Sequence, residues 1–256
     1  MLENLYAGAS EDSARRSASI STSQLEAVIA GRKPAVNATL ALTPRDRVHI
    51  LAEIKRSSPS KGALAPIENA AVLASIYQKH GASAISVLTE ERKFKGSLED
   101  LEQVRDVTDV PLLRKDFISN EYQLLEARAH GADIFLLIVA GLDVPTLARL
   151  KSFGEELGMT AFVETHSREE LKIASDLGAN LIGVNARDLT TFETDRNLFS
   201  ELVDDFPAGA IKVAESAVRE VADVVAYRQA GADVVLIGEA LVTGDPAARL
   251  DEFLNA

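Results

Sequence analysis

The chain has 256 residues, of which 46% are hydrophobic and 26% charged, with a net charge of −12 and no cysteine. The missing thiols exclude a disulfide framework and a thiolate metal site. The acidic balance argues against a nucleic-acid surface, and no stretch approaches the ~18 continuous apolar residues of a membrane span.

The N-terminus, MLENLYAGASEDSARRS, has no basic segment followed by an apolar one, so it does not read as a secretory signal, and a cytoplasmic protein is expected. Residues 1–45 stand outside the pattern that follows. Leu25–Ile29 fits a short helix, and Ser10–Ser23 is mostly small and polar. An N-terminal extension with a mobile start, packed on the main body, is expected.

From His49 onward the chain repeats. Four segments share Gly-Ala-Ser/Asp/Asn followed by an aliphatic run: His80–Leu88, His130–Ile138, Leu177–Asn185 and Ala230–Gly238. Their glycines, Gly81, Gly131, Gly178 and Gly231, are 50, 47 and 53 residues apart. Each glycine suits the left-handed end of a helix. Each run suits a strand buried on both faces, as parallel strands are. Four further strands are expected at His49–Lys55, Pro111–Lys115, Thr160–Glu164 and Ile211–Glu215. Helical patterns fill the gaps at Ile67–His80, Asn120–His130, Val144–Leu157 and Arg168–Leu177, the last opened by a Ser167–Glu170 capping box. Eight alternating βα units predict a closed (β/α)8 TIM barrel of residues 46–256, forming one domain with the extension of residues 1–45. An open doubly wound sheet is the alternative, disfavoured by the four-fold repeat and by the lack of a G-x-G-x-x-G after the first strand.

In such a barrel, chemistry gathers at the C-terminal ends of the strands. There the sequence places Glu53 and Lys55, Lys115 and Phe117, Glu164, Asn185 and Arg187, and Glu215 with Ser216. Residues i and i+2 share a face of a strand. If that face is inward, one mouth collects two Lys, one Arg, three Glu and an Asn. A lone strand-end Lys is usually solvated and Glu53–Lys55 alone could be a buried ion pair, but coincidence over five strands favours an acid–base site. A Lys desolvated among cations has its pKa lowered, and a carboxylate in apolar surroundings has its pKa raised.

The loops after the last two strands, Glu215-Ser216-Ala217 and Gly238-Glu239-Ala240, occupy the usual phosphate position of barrels. The loop from Ser57 to Gly62 is small, polar and basic, as a lid over an anion would be. No metal site is evident among His49, His80, His130 and His166: His80 and His130 precede helix-ending glycines, and His166 follows Glu164 with no second candidate ligand at ligand spacing.

The run Leu51-Ala52-Glu53-Ile54-Lys55-Arg56-Ser57-Ser58-Pro59-Ser60-Lys61-Gly62 resembles a signature of the indole-3-glycerol-phosphate synthase family. The likeness continues through Leu88–Glu91, Phe94, Gly96-Ser97, Leu113–Ile118, Val163-Glu164, Gly183–Leu189, Val213–Ser216 and Leu236–Leu241. The resemblance implies a cofactor-free reaction on a phosphorylated small molecule, 1-(2-carboxyphenylamino)-1-deoxyribulose 5-phosphate, which closes a ring and loses carbon dioxide and water. It implies Lys115 as general acid, Glu164 as base for dehydration, and Glu53, Lys55 and Asn185 in support. Asn185 and Arg187 would orient the catalytic Lys and Glu, and Glu215 would belong to the same polar ring. Ser58, Ser216, Ala217, Gly238 and Glu239 would serve the phosphate, and Phe94, Phe117, Leu136 and Leu236 would wall the aromatic ring.

One departure is Ala217, where the family usually has Gly; Gly-only torsions there would cost Ala about 1 kcal/mol or more. A related barrel isomerase would call for a Cys–Asp pair, which this chain lacks. A Schiff-base aldolase using Lys115 and a catalytically dead, metabolite-binding barrel are the other readings. A monomer or weak homo-oligomer is expected, with no nucleic-acid or membrane partner.

Overall fold

The computed structural model describes residues 1–188 and 193–256. Eight parallel strands close into a barrel: β1 His49–Ile54, β2 Ala84–Leu88, β3 Leu112–Lys115, β4 Ile134–Ile138, β5 Thr160–Thr165, β6 Leu181–Asn185, β7 Ile211–Glu215 and β8 Val234–Ile237. Each strand pairs with its neighbour in sequence, and β8 closes on β1 with His49 opposite Val234 and Leu51 opposite Leu236. All eight expected strands are present, to within a residue or two at their ends.

The four repeated glycines have φ of 91°, 93°, 66° and 98° at Gly81, Gly131, Gly178 and Gly231. Each turns the chain out of a helix and into a strand. The polar residue two positions on has its own purpose. Asp133 accepts the Leu112 N–H at 2.9 Å and Asp233 accepts the Lys212 N–H at 2.8 Å. The aspartates of these two copies thus satisfy a backbone donor at the start of the preceding strand, whereas Ser83 in the first copy meets the His49 ring at 2.8 Å.

Strand alternation sorts the core into two layers. Leu51, Leu113, Leu136, Phe162, Leu181, Val213 and Leu236 fill the barrel interior. Ile50, Ala52, Leu112, Phe135, Val163 and Ile182 pack outward against the helices. The same parity sends Lys115 inward with Leu113, but Arg114 outward. Arg114 is fully buried in the helix layer, where it donates to the Gln123 carbonyl at 2.6 Å, to Asp116 at 2.9 Å and to Thr89 at 3.1 Å. Two neighbouring cations on one strand therefore have separate tasks.

The N-terminal extension differs from expectation. Its start is a continuous helix, α1 (Leu2–Ser17), and a second, α2 (Thr22–Gly31), follows. The buried stripe of α1 is Leu5, Tyr6, Gly8, Ala9, Asp12 and Ser13. Four of those six are small or polar, so hydrophobic periodicity does not reveal the stripe. Ion pairs also fasten the helix. Asp12 meets Arg92 in a two-pronged pair at 2.8 and 2.9 Å, and Arg16 meets Glu126 at 2.5 and 2.9 Å. Tyr6 packs edge-on against Phe117 at 5.6 Å and sits where a side chain at Gly141 would clash with its ring.

The helix Arg168–Asp176 also differs in one detail. Ser167 accepts the Glu170 N–H at 3.2 Å as expected, but the Glu170 carboxylate accepts the N–H of His166 rather than that of Ser167. Only half of the capping box forms.

Arg114→Ala should lower unfolding free energy by about 3–5 kcal/mol, because it leaves Asp116 buried without its cation and the Gln123 carbonyl without its donor, while Glu126 keeps Arg16. Denaturant titration monitored by circular dichroism checks this; a loss under 1 kcal/mol would refute the structural role.

Candidate active site

A cavity of about 290 Å³ opens at the C-terminal end of the barrel. Every site residue singled out from the sequence lines it, from Glu53 and Lys55 to Gly238 and Glu239. Four central charges, Glu53, Lys115, Glu164 and Glu215, come from β1, β3, β5 and β7. Barrel interiors stack side chains from alternate strands in one layer. These four occupy the uppermost such layer, with the aliphatic and aromatic interior beneath them.

Lys115 is the hub. Its Nζ lies 2.9 Å from Glu164 Oε2 and 2.5 Å from Glu215 Oε2. It also stands over the Phe162 ring, 5.6 Å from the centroid. Burial by itself would discharge the ammonium, but Glu164, Glu215 and Glu53 together outweigh it and push the pKa well above the usual lysine value. The expectation of a lysine lowered by neighbouring cations is therefore corrected: its neighbours are carboxylates, and it stays protonated.

The two partners of Lys115 are unlike. Glu164 is buried, yet Lys115 and His166 hold its carboxyl well below the ordinary range, helped by the Asn185 side-chain N–H at 3.0 Å. Glu215 is pushed up to about 8, by burial first and then by the Glu164 charge. Its Oε1 has no hydrogen-bond partner among the described residues. That atom lies 2.3 Å from where a Cβ at Gly183 would stand, so Gly183 makes room for it. One carboxylate that stays ionised beside one that holds a proton is an arrangement suited to acid–base work.

Around this centre, Lys55 pairs with Glu53 at 2.7 Å. Gly238 lies against both; a Cβ there would come within 2.5 Å of Glu53 Oε1. Asn185 accepts from the Arg187 N–H at 3.0 Å and from the Ser216 hydroxyl at 2.7 Å while donating to Glu164. It links the carboxylate centre to the β7 loop. Phe94 and Phe117, with centroids 6.1 Å apart, form an apolar wall with Leu136 and Leu236.

The loop after β1 forms a two-residue antiparallel hairpin, Ser57–Ser58 with Gly62–Ala63, and Lys61 reaches across to pair with Glu239. Lys55, Lys61 and Arg187 gather near the loops after β7 and β8, and so do Arg196 and Arg219. This is a local positive rim on an acidic protein. Strand parity could not find Arg196 and Arg219, which lie on loops, or Leu5, which α1 brings to the cavity. His166 was set aside in the sequence, yet it touches Glu164. Leu189 lies outside the described residues.

Ser216 and Ala217 have φ of 69° and 62°. Two consecutive left-handed residues turn the chain sharply after β7, and Ala217 holds the torsion that Gly would take at lower cost.

A parallel eight-stranded barrel with a lysine–carboxylate centre and a cationic rim at its C-terminal mouth is a TIM-barrel enzyme. Solved structures agree on the fold. Thiamine phosphate pyrophosphorylase from Pyrococcus furiosus aligns with a TM-score of 0.62 at 15% identity, over 85% of this chain and 96% of that one. 3-Hexulose-6-phosphate synthase from Salmonella typhimurium aligns with a TM-score of 0.63 at 16% identity, over 81% and 97%. At such identities the likeness concerns the fold alone. The family model for indole-3-glycerol phosphate synthase matches residues 2–253. The indole-3-glycerol phosphate synthase of Leifsonia xyli is 58% identical over 99% of this chain and 97% of its own length, and that of Rhodococcus jostii is 51% identical over 100% and 95%. The chain belongs to the indole-3-glycerol phosphate synthase family, carboxy-lyases of tryptophan biosynthesis.

Ala217→Gly should raise stability by about 1 kcal/mol, since Gly adopts this torsion without steric cost. Thermal and denaturant unfolding of the two proteins measure it; a destabilised variant would show that the Ala methyl contributes packing that outweighs the strain.

Proposed function

We propose that this chain, as one cytoplasmic domain and as a monomer or weak homo-oligomer, converts 1-(2-carboxyphenylamino)-1-deoxyribulose 5-phosphate to indole-3-glycerol phosphate. The observation that carries the residue roles is Lys115 held between two buried carboxylates of opposite tendency. Lys115 is the general acid. Its ammonium donates to the ribulose carbonyl oxygen as the ring carbon bearing the carboxylate attacks that carbonyl. A new carbon–carbon bond forms and the carbonyl becomes a hydroxyl. Loss of carbon dioxide leaves its electron pair in the ring and restores aromaticity. Lys115, recharged with a proton from the neighbouring Glu215 carboxyl, then protonates the hydroxyl, which departs as water, and Glu164 takes the proton from the adjacent carbon as the double bond forms.

The supporting roles follow from position. Lys55 positions Glu53 and faces the substrate's anionic groups. Asn185 orients Glu164. Arg187, Ser58, Ser216, Ala217, Gly238 and Glu239 receive the phosphate, with backbone N–H groups contributing. Glu215, with its raised pKa, retains a proton near neutrality and completes the polar ring. Phe94, Phe117, Leu136 and Leu236 seat the aromatic ring. The Schiff-base reading fares worse, because imine formation needs a neutral lysine and Lys115 is held protonated.

The purified protein should convert this substrate to a fluorescent indole product without added cofactor. Folded protein at high concentration that forms no product would refute the activity. Lys115→Ala should cut turnover by about 10²–10⁴-fold while substrate binding persists, the usual contribution of a general acid. Stopped-flow fluorescence and calorimetry separate the two effects, and near-normal turnover would remove Lys115 from the acid role.

A further inference from the structure

We propose that His166 is a positioning residue for the reaction: its imidazole holds Glu164 Oε1 while Lys115 holds Oε2, and Glu170 anchors the imidazole. This deepens the reading of Glu164 as the base and rests on it.

The geometry begins with the strand end. Glu164 lies in β5 and His166 directly follows its last residue, Thr165, so the two side chains come to one side of the strand end. The His166 Nε2 lies 3.3 Å from Glu164 Oε1, an ion-pair distance without hydrogen-bond geometry, and the Asn185 side-chain N–H donates to that same oxygen at 3.0 Å. On the other side, Nδ1 lies 3.2 Å from Glu170 Oε2. The same Glu170 oxygen accepts the His166 backbone N–H at 2.8 Å. One carboxylate oxygen thus grips both the main chain and the ring of His166, which fixes the ring's direction. Glu170 is itself held in the first turn of its helix, its N–H donating to Ser167. A plain capping box would send the Glu170 carboxylate to the Ser167 N–H. Its diversion to His166 is what the clamp requires.

Charge follows from the same contacts. A carboxylate near each nitrogen favours the charged form of the imidazole. Burial opposes that charge, but Glu164 and Glu170 outweigh it and raise the pKa to about 10. The groups facing Glu164 are Lys115, Asn185 and His166, with Glu215 and the buried Tyr6 hydroxyl acting on the same space. Of the two cations, Lys115 is the one the reaction draws toward substrate oxygen. When it leaves, Glu164 would sit beside Glu215 in a buried site with little to keep it ionised. His166 is not part of the cavity lining, so substrate does not compete for it. It keeps the base charged and aimed through the step in which Lys115 is engaged elsewhere.

The test is the pH profile of turnover in His166→Gln, which keeps a donor and loses the charge. The acid limb of kcat should move up by about one pH unit, since each unit reflects a loss of differential stabilisation of the charged form. On the acid limb, below the midpoints of both proteins, kcat should fall about tenfold, with KM within about twofold and the plateau near neutrality unchanged. Glu170→Gln should move the limb in the same direction by less, and the His166 ring proton signals should titrate at lower pH in its NMR spectrum. If His166→Gln does not fold, Glu170→Gln carries the comparison. An unchanged acid limb in a folded variant, or a neutral His166 at pH 7 in the native protein, would overturn the proposal. Glu164→Gln separates the two readings. Full activity there would refute the base assignment itself. Loss of activity there, with an unshifted His166→Gln profile, would refute only the clamp.

Discussion

The structure turns on one buried ammonium. Lys115 sits between Glu164 and Glu215, and none of the three would tolerate its position alone. Taking a charge out of water costs several kcal/mol, and only well-placed partners return it. With three carboxylates and two lysines in the ring, charge balance is incomplete. Burial and the neighbouring Glu164 charge push the Glu215 carboxyl up, while Lys115 holds Glu164 down. Unequal carboxylates are a consequence of packing these groups into one layer, and acid–base chemistry uses that inequality.

The barrel supplies what such a cluster needs. Odd-numbered strands place four charged side chains at one level, and the aliphatic layer below seals them from the floor. Small residues are spent where charges must crowd. Gly183 admits Glu215, and Gly238 admits Glu53 and Lys55. Around the rim, loops rather than strands bring arginines and lysines together, so an acidic protein presents a locally cationic opening. The helix α1 covers one side of the mouth with Leu5 and Tyr6. Its hold depends on Arg16 and Asp12 as well as on the buried Leu5, Tyr6 and Ala9.

Arg114 and Lys115 show how strand parity divides labour. They are adjacent, both cationic and both largely buried. One faces the helix layer and ties β3 to the helix Glu121–Ala129 through Glu126 and the Gln123 carbonyl. The other faces the cavity. A shift of one residue in strand register would exchange them and destroy both the packing and the site.

The sequence by itself determined the eight strands, the barrel and the ring of strand-end residues. These rest on local rules: helix-ending glycines at a regular period, aliphatic runs between them, and the two-residue alternation of a strand. The family's motifs added the reaction. What only the tertiary structure decided is which groups touch. Lys115 and Glu215 are 100 residues apart, and no local rule states that a lysine there meets carboxylates instead of cations. The sign of its pKa shift therefore came out opposite to the sequence expectation. The helical start of α1 was hidden because its buried face is mostly small or polar, and such a face is stabilised by its partners across the interface. His166 was hidden for a similar reason: its two carboxylate neighbours come together only when the end of β5 and the helix that follows take up their three-dimensional places.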